Sequence, residues 1–269
     1  MVSGLLGLPV VLYLVHLGSW PFLVFIEAMV ILGSIEFFRM ARHKGADPHQ
    51  TLGVLAAAAL AALMYEGHHA ASGLAVTIFF LLVLVLDLKR GRPAGSVANL
   101  GVTVLGVFYV GWLGGHLGML RQMPHSIGRP DDLGARLVYF TLLITWAGDS
   151  GAYFVGRWIG KRPLFAAVSP RKTIEGSLGG VLFSTLAGLA GGLWVVPSLG
   201  IRDSVLLGLV AGFVGPLGDL VESLLKRDFG VKDAGELIPG HGGVLDRFDS
   251  LFFVAPVVYY YLKYLVFQA

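Results

Sequence analysis

The sequence predicts an all-α, polytopic integral membrane fold of about nine transmembrane helices. Three observations predict it: a composition too apolar for a soluble domain, nine separate apolar segments, and basic residues gathered in alternate loops. Of 269 residues, 55% are hydrophobic and 14% charged, against about 25% charged in typical soluble domains. Mean hydropathy is +0.75. The chain has no cysteine, which excludes disulfides and thiolate metal sites.

A helix needs about 20 apolar residues to cross the hydrocarbon core. The segments run near 2–17, 20–38, 51–66, 70–88, 97–120, 133–158, 176–197, 203–225 and 249–267. The first, MVSGLLGLPVVLYLVHLGSW, has no basic stretch before it and no small-residue cleavage site, so it reads as a membrane segment rather than a removable signal. Only Gly67, His68 and His69 join the third and fourth segments, which makes them antiparallel neighbours. The 38 glycines imply close helix packing through small-residue faces.

Orientation follows from the Lys and Arg distribution. Arg39, Arg42, Lys44, Lys89, Arg90, Arg92, Arg157, Lys161, Arg162, Arg171, Lys172, Lys226, Arg227, Lys232 and Arg247 all fall at even-numbered loops. They make up fifteen of the chain's 20 basic residues, whereas odd-numbered loops hold only Arg121, Arg129 and Arg202. This places the N-terminus in the cytoplasm, with the charged loops on the same side. The net charge of +3 is thus a signature of topology and of anionic membrane lipids, not of nucleic-acid binding. No repeat or soluble domain is visible. The chain reads as one membrane domain over 1–269, with residues 1–130 as scaffold or dimer region and 133–269 as the part that carries chemistry.

Three stretches carry that chemistry. On the eighth segment Asp219, Glu222, Ser223 and Lys226 share one helical face by their i, i+3, i+4, i+7 spacing. A charge at membrane depth costs about 2.5–3.5 kcal/mol on insertion scales, so such residues need partners, water or a ligand. The same spacing also suits a stripe that pairs internally at a helix interface. Next come Lys226-Arg227, Lys232-Asp233, Pro239-Gly240-His241-Gly242-Gly243 and Asp246-Arg247-Phe248-Asp249. Glycines there let backbone N–H groups approach phosphate oxygens, and the following helix N-terminus favours anions. Asp249 is also well placed simply to cap that helix. Asp219 with Asp246 is the stronger divalent-metal pair, because Mg²⁺ takes one or two carboxylates plus substrate phosphates. In the sixth loop, Ser169, Arg171, Lys172 and Thr173 are phosphate-binding residue types, and Glu175 follows at the next span. Upstream, Asp149 lies among glycines in W-A-G-D-S-G-A-Y. It either bonds a neighbouring helix or completes an acidic pocket. The clustering predicts an active-site cavity facing the cytoplasm.

The run S-L-L-K-R-D-F-G-V-K-D-A-G-E-L-I-P-G-H-G-G-V-L-D-R-F-D, Ser223 to Asp249, resembles the signature of the phosphatidate cytidylyltransferases, the CDP-diacylglycerol synthases. S-P-R-K-T-I-E-G and G-D-S-G-A-Y resemble segments of that family too, so the likeness covers roughly 140–255. The first 130 residues match only as generic membrane helices. One departure is the start of the chain, where family members often carry basic residues and this chain has none.

The resemblance implies that CTP and phosphatidic acid give CDP-diacylglycerol and pyrophosphate, with Mg²⁺ or Mn²⁺. An accessory monovalent cation and a homodimer stay open. It implies a transferase of phospholipid biosynthesis in the cytoplasmic (inner) membrane. On this reading Asp219, Asp246, Lys226 and Arg247 are catalytic, and Asp219, Asp246, Asp149 and Asp249 hold metal. CTP and phosphatidate meet Ser169, Arg171, Lys172, Thr173, Glu175, Ser223, Arg227, Lys232, Asp233, His241, Gly242 and Gly243. No general base is required, because a phosphate monoester is already a nucleophilic anion near neutral pH.

Two other functions fit parts of the pattern. A CTP-dependent polyprenol or dolichol kinase would share the nucleotide and metal site. An ion-coupled transporter would share the intramembrane acids Glu27, Asp149 and Asp219. The gathering of charge at one mouth, without an inverted repeat, argues against the transporter.

Overall fold

A computed structural model describes residues 2–235 and 242–268, with side chains from Leu8 onward. Its helices are α1 (Val2–Leu17), α2 (Ser19–His43), α3 (Gln50–Tyr65), α4 (His69–Arg90), α5 (Ser96–Gly106), α6 (Leu113–Ser126), α7 (Asp132–Ile159), α8 (Ile174–Trp194), α9 (Ile201–Asp228) and α10 (Leu245–Tyr261). A π-helical stretch, Val107–Trp112, joins α5 to α6, and another, Leu262–Val266, extends α10. Each predicted apolar segment falls on a helix or on a helix with its π extension.

Among the described residues, five helical segments are long and apolar enough to cross a membrane: Ser19–His43, His69–Arg90, Ser96–Ser126, Ile174–Trp194 and Ile201–Asp228. The other elements fall short for physical reasons. At about 1.5 Å per residue, the 16 residues of α3 rise about 24 Å. Helix α7 has the length, at 28 residues, but carries Asp132, Arg136, Asp149 and Arg157.

Where the apolar pattern stops, the helices often do not. Sequence hydropathy ends the second segment at residue 38 and the eighth at 225, yet α2 runs to His43 and α9 to Asp228. Charged residues end an apolar run without breaking a helix. Glycine does break these two: Gly45 (φ 93°) and Gly230 (φ 75°) adopt the left-handed conformation that closes a helix C-terminus. Backbone bonds Ala46 N–H to Ala41 O and Val231 N–H to Lys226 O seal the two ends.

The chain forms two compact units, one of Met1–Gln122 with Lys226–Arg247 and one of Met123–Leu225 with Phe248–Ala269. The first is built on α2, α3 and the π stretch, and small residues let their backbones close up. A Cβ on Gly111 would stand 2.7 Å from the Ala57 Cα. Phe37 and Phe38 meet edge to face at 5.5 Å, and Phe37 meets Phe229 the same way at 5.7 Å. Arg121, one of the few basic residues of the odd loops, is buried, and its Nε donates to Val15 O at 3.0 Å. In the second unit α7 packs along α8, and α8 meets α9 where Gly188 and Gly208 face each other.

One element departs from the all-α expectation. The sixth loop contains an antiparallel hairpin of β1 (Pro163–Phe165) and β2 (Ser169–Thr173), with Pro163 opposite Thr173 and Phe165 opposite Ser169. The alternation that marks a strand is too brief in five residues to read from sequence.

Candidate active site

Three helices of the second unit each present a carboxylate. Asp149 projects from α7, and its glycine neighbours serve packing. A Cβ at Gly151 would stand 2.6 Å from Phe183 Cβ of α8, and one at Gly180 would stand 3.0 Å from Gly148 O. Helix α8 therefore lies close on one side of α7, while Asp149 itself is exposed. Asp219 comes from α9, beside Gly218, whose Cα hydrogens face Asp249 O and Phe253 of α10. Asp249 comes from α10. Its Oδ1 accepts the Ser250 N–H at 2.6 Å, and Ser250 Oγ donates to Asp149 Oδ1 at 3.2 Å.

Strand β2 supplies the counter-charge. Lys172 Nζ lies 2.6 Å from Asp219 Oδ2, with the two side chains 25% and 37% exposed. Asp149, Asp219 and Asp249 lie within electrostatic reach of one another and of Lys172. Asp149 is exposed, Asp219 and Asp249 are half-buried and the Lys172 Nζ is buried; three carboxylates against one lysine leave a surplus of negative charge that a cation would neutralise.

The hairpin holds Lys172 in place. Thr173 Oγ1 accepts the Gly176 N–H and caps α8. Glu175, expected to meet substrate, is engaged by its own chain: it accepts the Lys161 and Arg162 N–H groups at 3.0 and 3.1 Å, and Arg162 Nε at 2.9 Å. Ser169 is half-buried and Arg171 exposed on the same strand.

In the first unit the segment after α9 folds around Asp246. Lys226 Nζ meets Asp246 Oδ1 at 2.6 Å, and both side chains are largely buried. Asp246 Oδ2 accepts the Ala234 N–H at 3.0 Å and the Gly243 N–H at 2.8 Å. The Gly243 N–H, expected to meet phosphate, is thus used inside the segment, because Asp246 in the first turn of α10 reaches back to it. Arg227, Lys232, Asp233 and Arg247 are exposed, and Gly242 has a left-handed backbone (φ 78°). His241 and Gly240 lie outside the described residues.

On α9 the predicted face is divided. Asp219 and Ser223 are half-exposed, the Lys226 side chain is largely buried, and Glu222 is fully buried. Asp219 and Lys226 pair with other elements, Lys172 and Asp246, rather than along the helix. Asp219 belongs to one unit and Asp246 to the other. One residue that no motif contains also enters: Glu36 of α2 accepts the Val244 and Leu245 N–H groups. A lone acid near the end of an apolar helix carries no sequence signal of that use.

The donor set suits a hard divalent cation. Among the described residues no group of three or more histidines and acids is arranged to hold a metal ion by itself, so Mg²⁺ would need substrate oxygens and water to complete its shell. Carboxylate oxygens that are open and partly balanced by a lysine are suitable protein ligands for it.

A model of the cytidylyltransferase family matches residues 1–265. The chain is 36% identical to a phosphatidate cytidylyltransferase of Synechocystis over 99% of its own length and 96% of that protein. It is 34% identical to one from Bacillus subtilis, over 97% of its length and 96% of the relative. A Staphylococcus epidermidis phosphatidate cytidylyltransferase shares 50% identity over 46% of this chain and 48% of that protein. With the match spanning almost every residue, the chain belongs to the cytidylyltransferase family.

Proposed function

We propose that this protein transfers the cytidylyl group of CTP to phosphatidic acid, forming CDP-diacylglycerol and pyrophosphate. A phosphate oxygen of phosphatidate attacks the α-phosphorus of CTP in line. The new P–O bond forms as the bond from the α-phosphorus to the β-phosphate oxygen breaks, and pyrophosphate leaves with that electron pair. Both reactants are anions, so the protein's task is to neutralise and align them.

Lys172 is the residue best placed for that task. Its ammonium is buried against the Asp219 carboxylate at 2.6 Å, so the pair presents a fixed positive charge beside the acids to an incoming phosphate. Asp219, with Asp149 and Asp249, is proposed to hold Mg²⁺; Asp246 joins them on the strength of the sequence pattern. When bound, the cation supplies charge neutralisation at the phosphates. Lys226, Arg227, Lys232 and Arg247 are proposed to clamp the triphosphate and the lipid phosphate, with Ser169, Thr173, Ser223 and the Gly240–Gly243 backbone adding contacts. Since the Thr173 hydroxyl and Gly243 N–H already have intramolecular partners, their contribution is to shape the site.

The observation that carries this reading is the Lys172–Asp219 pair beside Asp149 and Asp249, in a chain of this family. We also propose nine spans with a cytoplasmic N-terminus, a cytoplasm-facing site in the inner membrane, and a homodimer. The alternation of basic loops supports the orientation.

Product analysis tests the reaction. With CTP labelled at the α-phosphate, the proposal requires labelled lipid and free pyrophosphate. Lipid phosphate and CDP from a polyprenol acceptor would instead assign a kinase.

A further inference from the structure

Glu36 lies far from every motif in sequence, yet it stands at the centre of one in space. Its residue is 1% exposed. Oε1 accepts the Val244 N–H and Oε2 the Leu245 N–H, each at 2.9 Å. These N–H groups open α10, where a helix has donors without intrahelical partners and a partial positive charge. One carboxylate satisfies both.

Two glycines of the segment are shaped by the same group. A Cβ on Gly235 would stand 2.7 Å from Glu36 Oε1, and one on Gly243 would stand 2.6 Å from Oε2. Only glycine lets the backbone come this near the carboxylate. Gly235 and Gly243 flank the stretch 236–242, and the backbone on either side of it rests on acids. Ala234 and Gly243 donate to Asp246, while Val244 and Leu245 donate to Glu36. Arg39, one turn further along α2, lies within electrostatic reach of Glu36.

We propose that Glu36 is a positioning residue for cytidylyl transfer. It fixes the turn Gly243–Asp246, and through Asp246 the ammonium of Lys226, in the geometry that receives substrate phosphate. The proposal rests on the reaction assigned above. An acid in this place is a poor choice for mere packing, since apolar groups of similar volume often replace buried charges without loss of stability. A carboxylate instead orients two donors at once.

Glu36→Gln tests it, because the side chain keeps its size while an amide NH2 replaces one of the two acceptors. In detergent-purified protein, kcat should fall about 100-fold with KM for CTP and phosphatidate within about twofold, the pattern expected when reacting groups are displaced by an ångström or less. Glu36→Asp, which keeps both acceptors on a shorter arm, should recover part of that kcat. Amide exchange at Val244 and Leu245 should quicken in Glu36→Gln.

A folded Glu36→Gln protein with wild-type kcat overturns the proposal. So does a loss of kcat that tracks the loss of folded protein, with no recovery in Glu36→Asp. If the wild type transfers no cytidylyl group, the assigned reaction fails instead. Exchange at Val244 and Leu245 then judges Glu36 by itself, and unchanged protection there rejects its role.

Discussion

Lys172 Nζ on strand β2 lies 2.6 Å from Asp219 Oδ2 on helix α9, so a residue of the sixth loop neutralises the acid of the eighth apolar segment. Forty-six positions separate them in sequence. The pair is partly exposed and contributes no more than about 1 kcal/mol to stability. Its value is therefore in the charge it presents to a ligand. Lys172→Met should leave Tm within a few degrees and reduce cytidylyl transfer about 100-fold, consistent with losing one electrostatic stabiliser. Thermal unfolding and turnover on the same preparation check both halves.

Asp149 and Asp249 surround Asp219 without forming a closed cage. If they help to hold the cation, Asp149→Asn should raise the Mg²⁺ concentration for half-maximal activity about 10-fold or more, the scale seen when supporting groups of metal sites are removed. Activity titrated against Mg²⁺ reads this directly. An unchanged titration with unchanged maximal rate would place Asp149 in helix packing through Ser250.

Gly243→Ala puts a methyl group 2.6 Å from Glu36 Oε2 at a crowded turn. Overpacking of this kind costs about 1–3 kcal/mol, and here the strain falls on the start of α10. The variant should show a lowered Tm together with a kcat loss like that of Glu36→Gln. In a double-mutant cycle the Tm losses of Glu36→Ala and Gly243→Ala should be less than additive, because the clashing carboxylate is already gone.

The hairpin that carries Lys172 is anchored by the cap on α8. Thr173→Ala removes the acceptor for the Gly176 N–H and should cost about 1 kcal/mol. Thr173→Ser keeps the oxygen and should recover most of it, as thermal or denaturant unfolding can show.

Much of this was legible in the chain because membrane helices announce themselves by composition, and the charged motifs contrast with them. The sequence pattern names Asp149, Asp219, Asp249 and Lys172, and the structure gathers them in one unit. What sequence could not reveal is which charges are already spoken for. Glu175 reads as a phosphate-loop acid but binds the backbone of Lys161 and Arg162. Gly243 reads as an open N–H but donates to Asp246. Glu36 has no spacing relation to its partners more than 200 positions away, so nothing local could reveal it. The hairpin gives no such signal, because a five-residue strand that contains Pro170 has too little period to detect.

The most direct test measures transfer of α-labelled phosphate from CTP to phosphatidic acid by wild-type protein and by Asp219→Asn, each confirmed folded, with Mg²⁺ and with EDTA. The account predicts labelled CDP-lipid and released pyrophosphate from the wild type, abolished by EDTA, and a loss of about 10³-fold or more in Asp219→Asn. Near-full transfer by the folded Asp219→Asn protein would contradict the assignment of the acidic pocket as the reacting site.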